Sequence, residues 1–403
     1  MPNTGKHLLL IGGRDHTLDR VQLLGARYSM VQVPDLVNPR QYLGASRYAV
    51  LDYTDLAELL PLIRAWHAID PFDAVASFTE YGLEPASRCA IDLGVAGDNL
   101  AAVLVTRDKV ATRQLLAQHN LSPVRYRSCA DLADAREFLA QLAGRPMIVK
   151  PQDGGLSEGV SVVRNPAELP DAWNWTRSAT SGPVLAEEYL DGPEYSVETI
   201  SLGGNHEVVS ITEKLTTELP RFIEIGHSAP AQLGTAAVKQ VTDLVTTFLE
   251  LIGQRTAPAH TELRLTVDGP RIIESQTRFG GDQIWEICEL VTGVDLMTQV
   301  MAELLSLPQP PRRPSAPAAA IRFFCHEEVR VGNVSGMSDA EQAPGVVRIS
   351  CSLRPGQVLP TLTSSNSRQG YVLCTGADPV EARVNADAAH DLVRVELEPV
   401  GIG

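Results

Sequence analysis

Residues 260–282 carry, at short intervals, side chains able to bind a metal: Glu262, Glu274 and Gln276, followed by Arg278. Two carboxylates that face each other repel and raise each other's pKa unless a cation lies between them. Hard oxygen donors of this kind suit Mg²⁺, which also binds phosphate oxygens. The spacing therefore predicts a divalent-metal site that receives a polyphosphate.

A predicted hairpin must position these side chains. Apolar and polar residues alternate on both sides of Asp268-Gly269, which indicates two half-buried strands. A two-residue turn would put Glu262 and Glu274 on opposite faces, whereas a three-residue loop puts them on the same face. We expect the three-residue loop, with Leu263 and Ile273 on the apolar underside.

Two lysines and a glycine-rich loop lie upstream. Lys109 falls in the first turn of a helix for which Thr106 is the expected N-cap, and the helix dipole disfavours a cation there unless an anion also binds. Lys150 ends a short apolar strand and precedes residues 152–159, whose glycines let backbone N–H groups approach an anion. The candidate phosphate contacts in this loop are Gly154, Gly155, Ser157 and Gly159.

A second candidate nucleotide contact is Glu187-Glu188-Tyr189-Leu190, which follows an apolar strand and precedes Glu194. A strand that stops and turns exposes backbone N–H and C=O groups, which can contact a purine edge. The Glu194 carboxylate can accept hydrogen bonds from ribose hydroxyls. Lys214 and His227, near two later predicted strands, are candidate anion and substrate contacts.

Each motif also has a purely structural explanation. Arg264 could bridge Glu262 and Glu274 as an ordinary cross-strand ion pair. Lys109 could be a solvated lysine, and residues 152–159 could be a plain hairpin loop.

The composition excludes several classes of protein. The 403 residues allow about two to four domains, and 44% hydrophobic with 21% charged residues is typical of a soluble globular chain. A net charge of −15 argues against a nucleic-acid partner, which needs a basic face. The apolar run 8–11 is too short for a signal peptide or a membrane span, so we expect a cytoplasmic protein with no membrane partner. The cysteines form no C-x-x-C pair, and neither zinc nor disulfides are expected.

The order of predicted elements suggests three domains. Short strands alternate with helices over residues 1–105, which indicates a Rossmann-like α/β domain with a parallel sheet. No dinucleotide site is expected at Gly12-Gly13, because the G-x-G-x-x-G spacing is absent. The proline-rich run 308–314 is the clearest linker. It separates a central domain, residues 106–307, from a C-terminal α+β domain, residues 308–403.

Taken in chain order, these motifs resemble those of the ATP-grasp superfamily of carboxylate-amine ligases over about residues 1–305. The resemblance implies an ATP-grasp fold that binds ATP with Mg²⁺ or Mn²⁺. It implies that Lys109, Lys150 and the Gly154 to Gly159 loop contact the phosphates. The Glu187-Glu188-Tyr189-Leu190 turn would contact adenine, and Glu194 would contact ribose. Glu262, Glu274 and Gln276 would bind the metal, with Arg278 beside the transferred phosphoryl group. The family usually has asparagine where this chain has Gln276.

Within that superfamily, residues 226–230, residues 278–282 and the tail segments 344–346 and 354–356 look like the L-amino-acid ligases, which form dipeptides. The resemblance implies small-molecule carboxylate and amine partners. A homodimer is compatible with it.

The implied reaction begins when a substrate carboxylate attacks the γ-phosphorus of ATP, giving an acyl phosphate and ADP. An amine then displaces phosphate and leaves an amide. Such chemistry needs positioning and charge neutralisation more than covalent help. The candidate catalytic residues are Arg278 on phosphate or the oxyanion, His227 orienting the substrate or the oxyanion, Lys214 on an anion, and Asp282 receiving the amine.

Two other functions remain open at this point. One is an ATP-grasp carboxylase that phosphorylates bicarbonate, as biotin carboxylases do. The other is an ATP-binding regulatory or scaffold protein without turnover, against which the presence of Glu262, Glu274 and Arg278 speaks.

Overall fold

The structure, a computed structural model, describes residues 5–153, 155, 157–217 and 222–399. None of the helices in these ranges combines the length and the apolarity that a bilayer crossing requires.

The N-terminal part is a parallel sheet with helices on both faces. Its strands are β1 (His7–Ile11), β2 (Arg27–Gln32), β3 (Tyr48–Val50) and β4 (Ala74–Ala76), and its helices are α1 (Asp15–Leu23), α2 (Pro39–Leu43), α3 (Leu56–Ile69) and α4 (Leu83–Leu93). The strand order is β3-β2-β1-β4. Strand β1 is buried throughout and apolar from Leu8 to Ile11, as expected for a strand covered on both faces. The expected Rossmann-like parallel sheet is confirmed.

A small antiparallel sheet follows two connecting helices. The helices are α5 (Leu100–Arg107) and α6 (Lys109–Gln118), the strands are β5 (Tyr126–Cys129), β6 (Met147–Pro151), β7 (Ser161–Val163) and β8 (Val184–Glu188), and the covering helices are α7 (Leu132–Gln141) and α8 (Leu169–Ala179). The strand order is β5-β8-β6-β7. Phe138 of α7 and Trp173 of α8 pack against this sheet, which leaves its other face for the cleft described below.

A large antiparallel sheet forms the centre of the molecule. The elements that complete the chain are β9 (Glu194–Leu202), β10 (Asn205–Thr216), β11 (Glu224–Ala229), α9 (Thr235–Leu251), β12 (Ala257–Thr266), β13 (Gly269–Gln276), α10 (Ile284–Thr292), α11 (Leu296–Leu304), β14 (Ala318–Phe323), β15 (Val329–Ser335), α12 (Met337–Glu341), β16 (Val346–Cys351), β17 (Val358–Leu359), β18 (Gly370–Gly376), α13 (Pro379–Leu392) and β19 (Arg394–Pro399). The sheet order is β13-β12-β9-β10-β11-β14-β18-β16, and β17-β15-β19 form a separate sheet. The large sheet therefore includes strands from both sides of the 308–314 linker.

The two faces of the large sheet differ in polarity. One face packs on α9, where Phe248 is completely buried against Val197, Leu263 and Ile272. Burial of a side chain of this size contributes about 1.5–3 kcal/mol. The same strands carry glutamates, lysine and histidine on their opposite face, so the sheet presents polar groups there on a rigid support.

The β12–β13 hairpin has a shorter loop than expected. Thr266 pairs with Gly269, which leaves only Val267-Asp268 in the turn. The prediction of a three-residue loop was wrong.

A β-bulge nevertheless puts the two glutamates on one face. Leu263 pairs with Ile272, but Glu262 pairs with Glu274, so Ile273 is an extra residue in β13. Ile272 is buried in the core with Leu263, whereas Ile273 lines the cleft. The expected position of Ile273 on the apolar underside is thus also wrong, for the same reason.

Candidate active site

An open cleft of about 1190 Å³ lies between the small sheet and the polar face of the large sheet. It is lined by most of the residues that the sequence singled out: Lys109, Lys150, Gly155, Ser157, Glu187, Glu188, Tyr189, Leu190, Glu194, Lys214, His227, Glu262, Glu274, Gln276, Arg278 and Asp282. Gly154 lies outside the described residues. Gly159 is not among the residues that line the cleft.

Gly159 has a structural role in its loop. Its φ is +70°, and an added Cβ would lie 2.7 Å from the Ala179 Cβ. Its carbonyl accepts a hydrogen bond of 2.7 Å from the Thr176 hydroxyl. A left-handed residue without room for a side chain must be glycine, so the fold of the loop alone requires Gly159, and its contact with phosphate stays a prediction.

Each of the paired glutamates is held by a lysine. Lys214 Nζ lies 2.7 Å from Glu262 Oε1, and Lys109 Nζ lies 3.3 Å from Glu274 Oε2. Burial would raise the pKa of both carboxyls, but these ammonium groups lower the pKa of each below its ordinary value. Both glutamates are therefore ionised in a partly enclosed cleft.

Lys214 is surrounded by carboxylates. Its Nζ also lies 2.9 Å from Glu194 and 3.3 Å from Glu224, and its side chain is 1% exposed. Burial would lower the pKa of Lys214, but Glu262, Glu194 and Glu224 raise it well above its ordinary value. The predicted anion contact is thus a counter-ion of three glutamates in this structure, and its role on an anion of the substrate or nucleotide stays a prediction.

Gln276 leaves one acceptor unsatisfied. Its Nε2 donates to Glu274 Oε1 at 2.8 Å, while its buried Oε1 has no hydrogen-bond partner among the described residues. In the same ranges no group of three or more His, Cys, Asp or Glu side chains is arranged to hold a metal alone. Two carboxylates plus an unpaired amide oxygen fit a hard divalent cation that takes further ligands from phosphate.

His260 and Glu198 extend this cluster into the protein. His260 Nδ1 and Glu198 Oε1 are hydrogen-bonded, and His260 Nε2 lies 3.2 Å from Glu262 Oε1. Glu198 Oε2 accepts the Gly280 N–H at 2.9 Å. Burial would lower the pKa of His260, but Glu198 and Glu262 raise it to about 9.

The sequence analysis did not identify either residue. A signal was available for His260, because residues two apart on a strand share a face, and His260 precedes Glu262 by two. Nothing local indicated that Glu198 faces them from β9.

At the other end of the cleft, Glu187 joins two cations. Its carboxylate lies 2.7 Å from Lys150 Nζ and 2.5 Å from Arg113 Nε. Arg113 also donates to the carbonyls of Ile272 and Ile273, at 2.6 and 3.0 Å. Burial would raise the pKa of Glu187, but Arg113 and Lys150 lower it to about 2. In this structure the carboxylate expected at adenine holds Lys150 and Arg113, and its contact with adenine stays a prediction.

Helix α6 supplies Lys109 and Arg113 from one face, since they are four residues apart. That spacing was a usable signal for Arg113, which was missed. The helix is capped by Asp108, whose carboxylate accepts the Val110 N–H at 2.8 Å. Thr106, the expected cap, lies inside α5 and bonds back to that helix, so that prediction was wrong.

Arg264 organises the turn predicted to contact the purine. It donates to Tyr189 Oη at 2.9 Å and to the Leu190 carbonyl at 3.1 Å, and it pairs with Glu194 at 3.0 Å. Its guanidinium also lies 5.1 Å from the Phe222 ring centroid. Arg264 therefore does not bridge the two paired glutamates, and Glu194, the expected ribose contact, is already held by two cations.

The backbone next to this turn is partly used by neighbouring segments. The Glu188 N–H donates to the Arg125 carbonyl at 2.9 Å, and the Tyr189 N–H donates to Pro146 at 3.0 Å. All four predicted purine contacts, Glu187 to Leu190, nevertheless line the cleft.

The far end of the cleft brings together Arg278, His227 and Asp282. Arg278 Nε is 2.7 Å from Glu80 Oε2, which links the cleft to the N-terminal part. Asp282 forms a two-point ion pair with Arg368, one contact being 3.0 Å. Burial would raise the pKa of Asp282, but His227 and Arg368 lower it. Arg368 matches the charge of Asp282 in this structure, and the role of Asp282 in receiving the amine stays a prediction.

His227, unlike Arg278 and Asp282, makes no side-chain hydrogen bond to the described residues. It is 3% exposed and lines the cleft, yet neither ring nitrogen has a hydrogen-bond partner among the described residues. Its Nε2 is 3.6 Å from Asp282, beyond hydrogen-bonding distance. A buried polar ring without partners is costly, so a ligand at this position would satisfy it.

Two family models match the chain. The model described as "ATP-grasp domain" matches residues 143–286, and the one described as "L-amino acid ligase C-terminal domain 2" matches residues 322–398.

Known proteins show the same similarity. A solved L-amino acid ligase from Bacillus licheniformis is 26% identical, with a TM-score of 0.82 and coverage of 97% of this chain and 98% of that one. A phosphoribosylglycinamide synthetase from Anaerococcus prevotii is 16% identical with a TM-score of 0.73, covering 98% and 100%, which shows a shared fold alone. Carnosine synthase 1 of Gallus gallus is 26% identical over 59% of this chain, which spans only 27% of that protein.

The mixed α/β fold predicted from the sequence is thereby confirmed, with its parallel N-terminal sheet and antiparallel sheets beyond. The chain thus carries an ATP-grasp domain over residues 143–286 and an L-amino acid ligase C-terminal domain over residues 322–398, and it is similar over nearly its whole length to a solved L-amino acid ligase.

Proposed function

We propose that the protein is an ATP-dependent ligase that joins the carboxylate of one amino acid to the amine of a second, with release of ADP and phosphate. The observation that carries this proposal is the direct pairing of Glu262 with Glu274 in a cleft that also holds Lys150 and the unpartnered His227. The similarity to L-amino acid ligases supports the choice of an amine as acceptor.

Glu262 and Glu274 would hold Mg²⁺ or Mn²⁺, with the Oε1 of Gln276 as a further donor. Such an ion supplies charge neutralisation on phosphate oxygens. Lys109 and Lys214, which balance the two glutamates in this structure, are then released toward other anions.

The nucleotide would lie along the small sheet. Lys150, oriented by Glu187, contacts phosphate, and the backbone of Gly155 and the hydroxyl of Ser157 cover it. The Glu188-Tyr189-Leu190 turn contacts the purine, and Glu194 contacts ribose by exchanging one of its present cations.

In the first step an oxygen of the substrate carboxylate bonds to the γ-phosphorus and the bond to ADP breaks, which gives an acyl phosphate. In the second, the amine nitrogen bonds to the acyl carbon, phosphate leaves, and the nitrogen loses a proton. Arg278 neutralises charge on the phosphoryl oxygens or the oxyanion. His227 orients the carboxylate or the oxyanion through its unpaired ring nitrogens.

We also propose that residues 1–105, 106–307 and 308–403 are three domains with different roles in the reaction. The central part binds the nucleotide. The substrate acid would bind at the far end of the cleft, beside Arg278, His227 and Asp282, and we call this the acid end. The N-terminal part contributes Glu80 to it and the C-terminal part contributes Arg368.

The test is a screen of amino-acid pairs for release of ADP and phosphate. Hydroxylamine in place of the amine is expected to trap an acyl hydroxamate when the right acid is present. AMP with pyrophosphate would overturn the proposal, and so would ADP release that depends on bicarbonate and not on amino acids. Tight ATP binding without ADP release across the screen would indicate a non-catalytic ATP-binding protein.

A further inference from the structure

A segment from beyond the linker forms one wall at the acid end of the cleft. Residues 364–369 include a short 3-10 turn, Ser365–Ser367, and Ser365 lines the cleft. The Ser365 hydroxyl donates to Glu224 Oε2. Glu224 Oε1 lies 3.4 Å from the Ser157 hydroxyl. The carboxylate of Glu224 is therefore held by the glycine loop on one side and by the C-terminal segment on the other.

Arg368 is the most constrained residue of this segment. Its side chain is 8% exposed, and it makes a two-point ion pair with Asp282. It also donates to the Glu224 carbonyl at 3.0 Å, and its guanidinium lies 3.8 Å from the Phe323 ring centroid. A guanidinium that is bidentate and stacked has little freedom to leave.

The turn that Arg368 holds is strained. Asp282 and Gln283 have φ values of +54° and +62°. Two successive non-glycine residues in the left-handed region are unfavourable, because the Cβ of each approaches the backbone closely. This turn precedes α10 and brings Gly281 and Ile284 to the cleft wall. The ion pair with Arg368 contacts this turn at Asp282, from outside the segment.

We infer that Arg368 is a positioning residue that determines which acid the cleft accepts, by holding Asp282 as a neutral ion pair at the acid end. This inference rests on the proposed ligase function. With Arg368 present, the Asp282 carboxylate offers no unmatched charge to a cationic substrate side chain, so acids with uncharged side chains are favoured. Without it, the same carboxylate is left partly buried beside His227 Nε2, which lies 3.6 Å away, and a cationic substrate side chain would supply the charge that Arg368 provided.

The experiment compares Arg368→Met with Arg330→Met, an exposed arginine of the same C-terminal part. Each enzyme is assayed for ADP release with a common amine and a panel of acids that includes lysine, arginine and their uncharged analogues. For Arg368→Met we expect the ratio of kcat/KM for basic over uncharged acids to rise about tenfold or more. The KM for ATP should stay within about twofold of the wild-type value. Arg330→Met should retain the wild-type profile.

The double variant Arg368→Met with Asp282→Asn identifies the cause. Because it lacks the unpaired carboxylate, it is expected to lose the gain on basic acids. If Arg368→Met does not fold, Arg368→Lys retains the charge without the fork, and a smaller shift in the same direction is expected. An unchanged acid profile in the single variant, or a gain that persists in the double variant, overturns the inference. Absence of ADP release by the wild type with every acid overturns the proposed function instead.

Discussion

Glu262 and Glu274 face each other across two strands because Ile273 is an extra residue in β13. Paired without the bulge, the same sequence would set Glu262 opposite Ile273 and turn Glu274 toward α9. The bulge also lets the Ile273 carbonyl accept from Arg113. The β-bulge therefore connects the carboxylate pair, through Arg113, to the end of the cleft that holds Lys150.

Glu274→Gln is expected to lower ADP release by about 10²-fold or more, because the neutral amide cannot neutralise a divalent ion between the strands. The fold should survive, since the side chain is isosteric. The measurement is steady-state ADP formation with circular dichroism as a check of folding. Glu58→Gln, on an exposed position of α3, is the matched control and should retain activity. Full ADP release by Glu274→Gln would show that the metal assignment is wrong.

Much of this cleft could be predicted from the sequence, because each motif is local. A few neighbouring residues are enough to recognise each of them: Lys150 with its glycine loop, the Glu187 turn, and the carboxylates of one hairpin. Their convergence followed from the family resemblance, not from spacing.

What the sequence could not supply were the partners of these residues. Arg113 and Glu187 are 74 positions apart, and Arg368 and Asp282 are 86 apart. No periodicity connects residues so distant, so Glu187 and Asp282 were treated as free to bind ligands. The bulge at Ile273 was missed because alternation alone does not reveal an inserted residue.

Glu187→Gln should destabilise the protein in a pH-dependent way. The pKa of Glu187 is lowered from 4.5 to about 2, so its contribution is fully present above pH 4.5 and is lost as pH falls toward 2. We expect wild type to exceed the variant by about 3 kcal/mol in unfolding free energy at neutral pH, with the gap narrowing below pH 4.5. Urea unfolding at a series of pH values measures this gap.

The control is Glu137→Gln. Glu137 makes a surface ion pair with Arg127 and is 65% exposed. Its removal should change stability by less than about 1 kcal/mol. A gap for Glu187→Gln that widened in acid would contradict the ionised state of the carboxylate.

Arg113→Met is expected to weaken ATP binding although Arg113 is not among the residues that line the cleft. Without it, Glu187 has Lys150 as its remaining cation, and the bonds to β13 are lost. We expect a KM for ATP raised about tenfold or more, with a loss of about 3–5 kcal/mol in stability. Arg113→Lys should recover part of the stability, whereas Arg136→Met, on the exposed surface of α7, should change neither quantity. An unaltered KM for ATP in a folded Arg113→Met protein would rule out this positioning role.

His227→Leu should separate stability from function. Since neither ring nitrogen of His227 has a hydrogen-bond partner among the described residues, the substitution removes an unsatisfied buried group, and Asp282, 3.6 Å from Nε2, keeps its ion pair with Arg368. We expect the unfolding free energy to stay equal or to rise by up to about 1 kcal/mol. ADP release should nevertheless fall by about 10²-fold, with the KM for ATP unchanged, because in the proposed function His227 orients the acid and makes no contact with the nucleotide.

His206→Leu should behave in the opposite way. The His206 ring bonds to the Ser201 hydroxyl at 2.7 Å and does not line the cleft. Its loss is expected to cost about 1 kcal/mol of stability and to leave ADP release intact. If His227→Leu proved strongly destabilising, or kept full turnover, the unpaired imidazole would be a packing residue and the acid end of the cleft would need a different catalytic group. A stable but inactive His227→Leu, beside a weakened but active His206→Leu, would show that the fold tolerates an unsatisfied ring for the sake of a ligand.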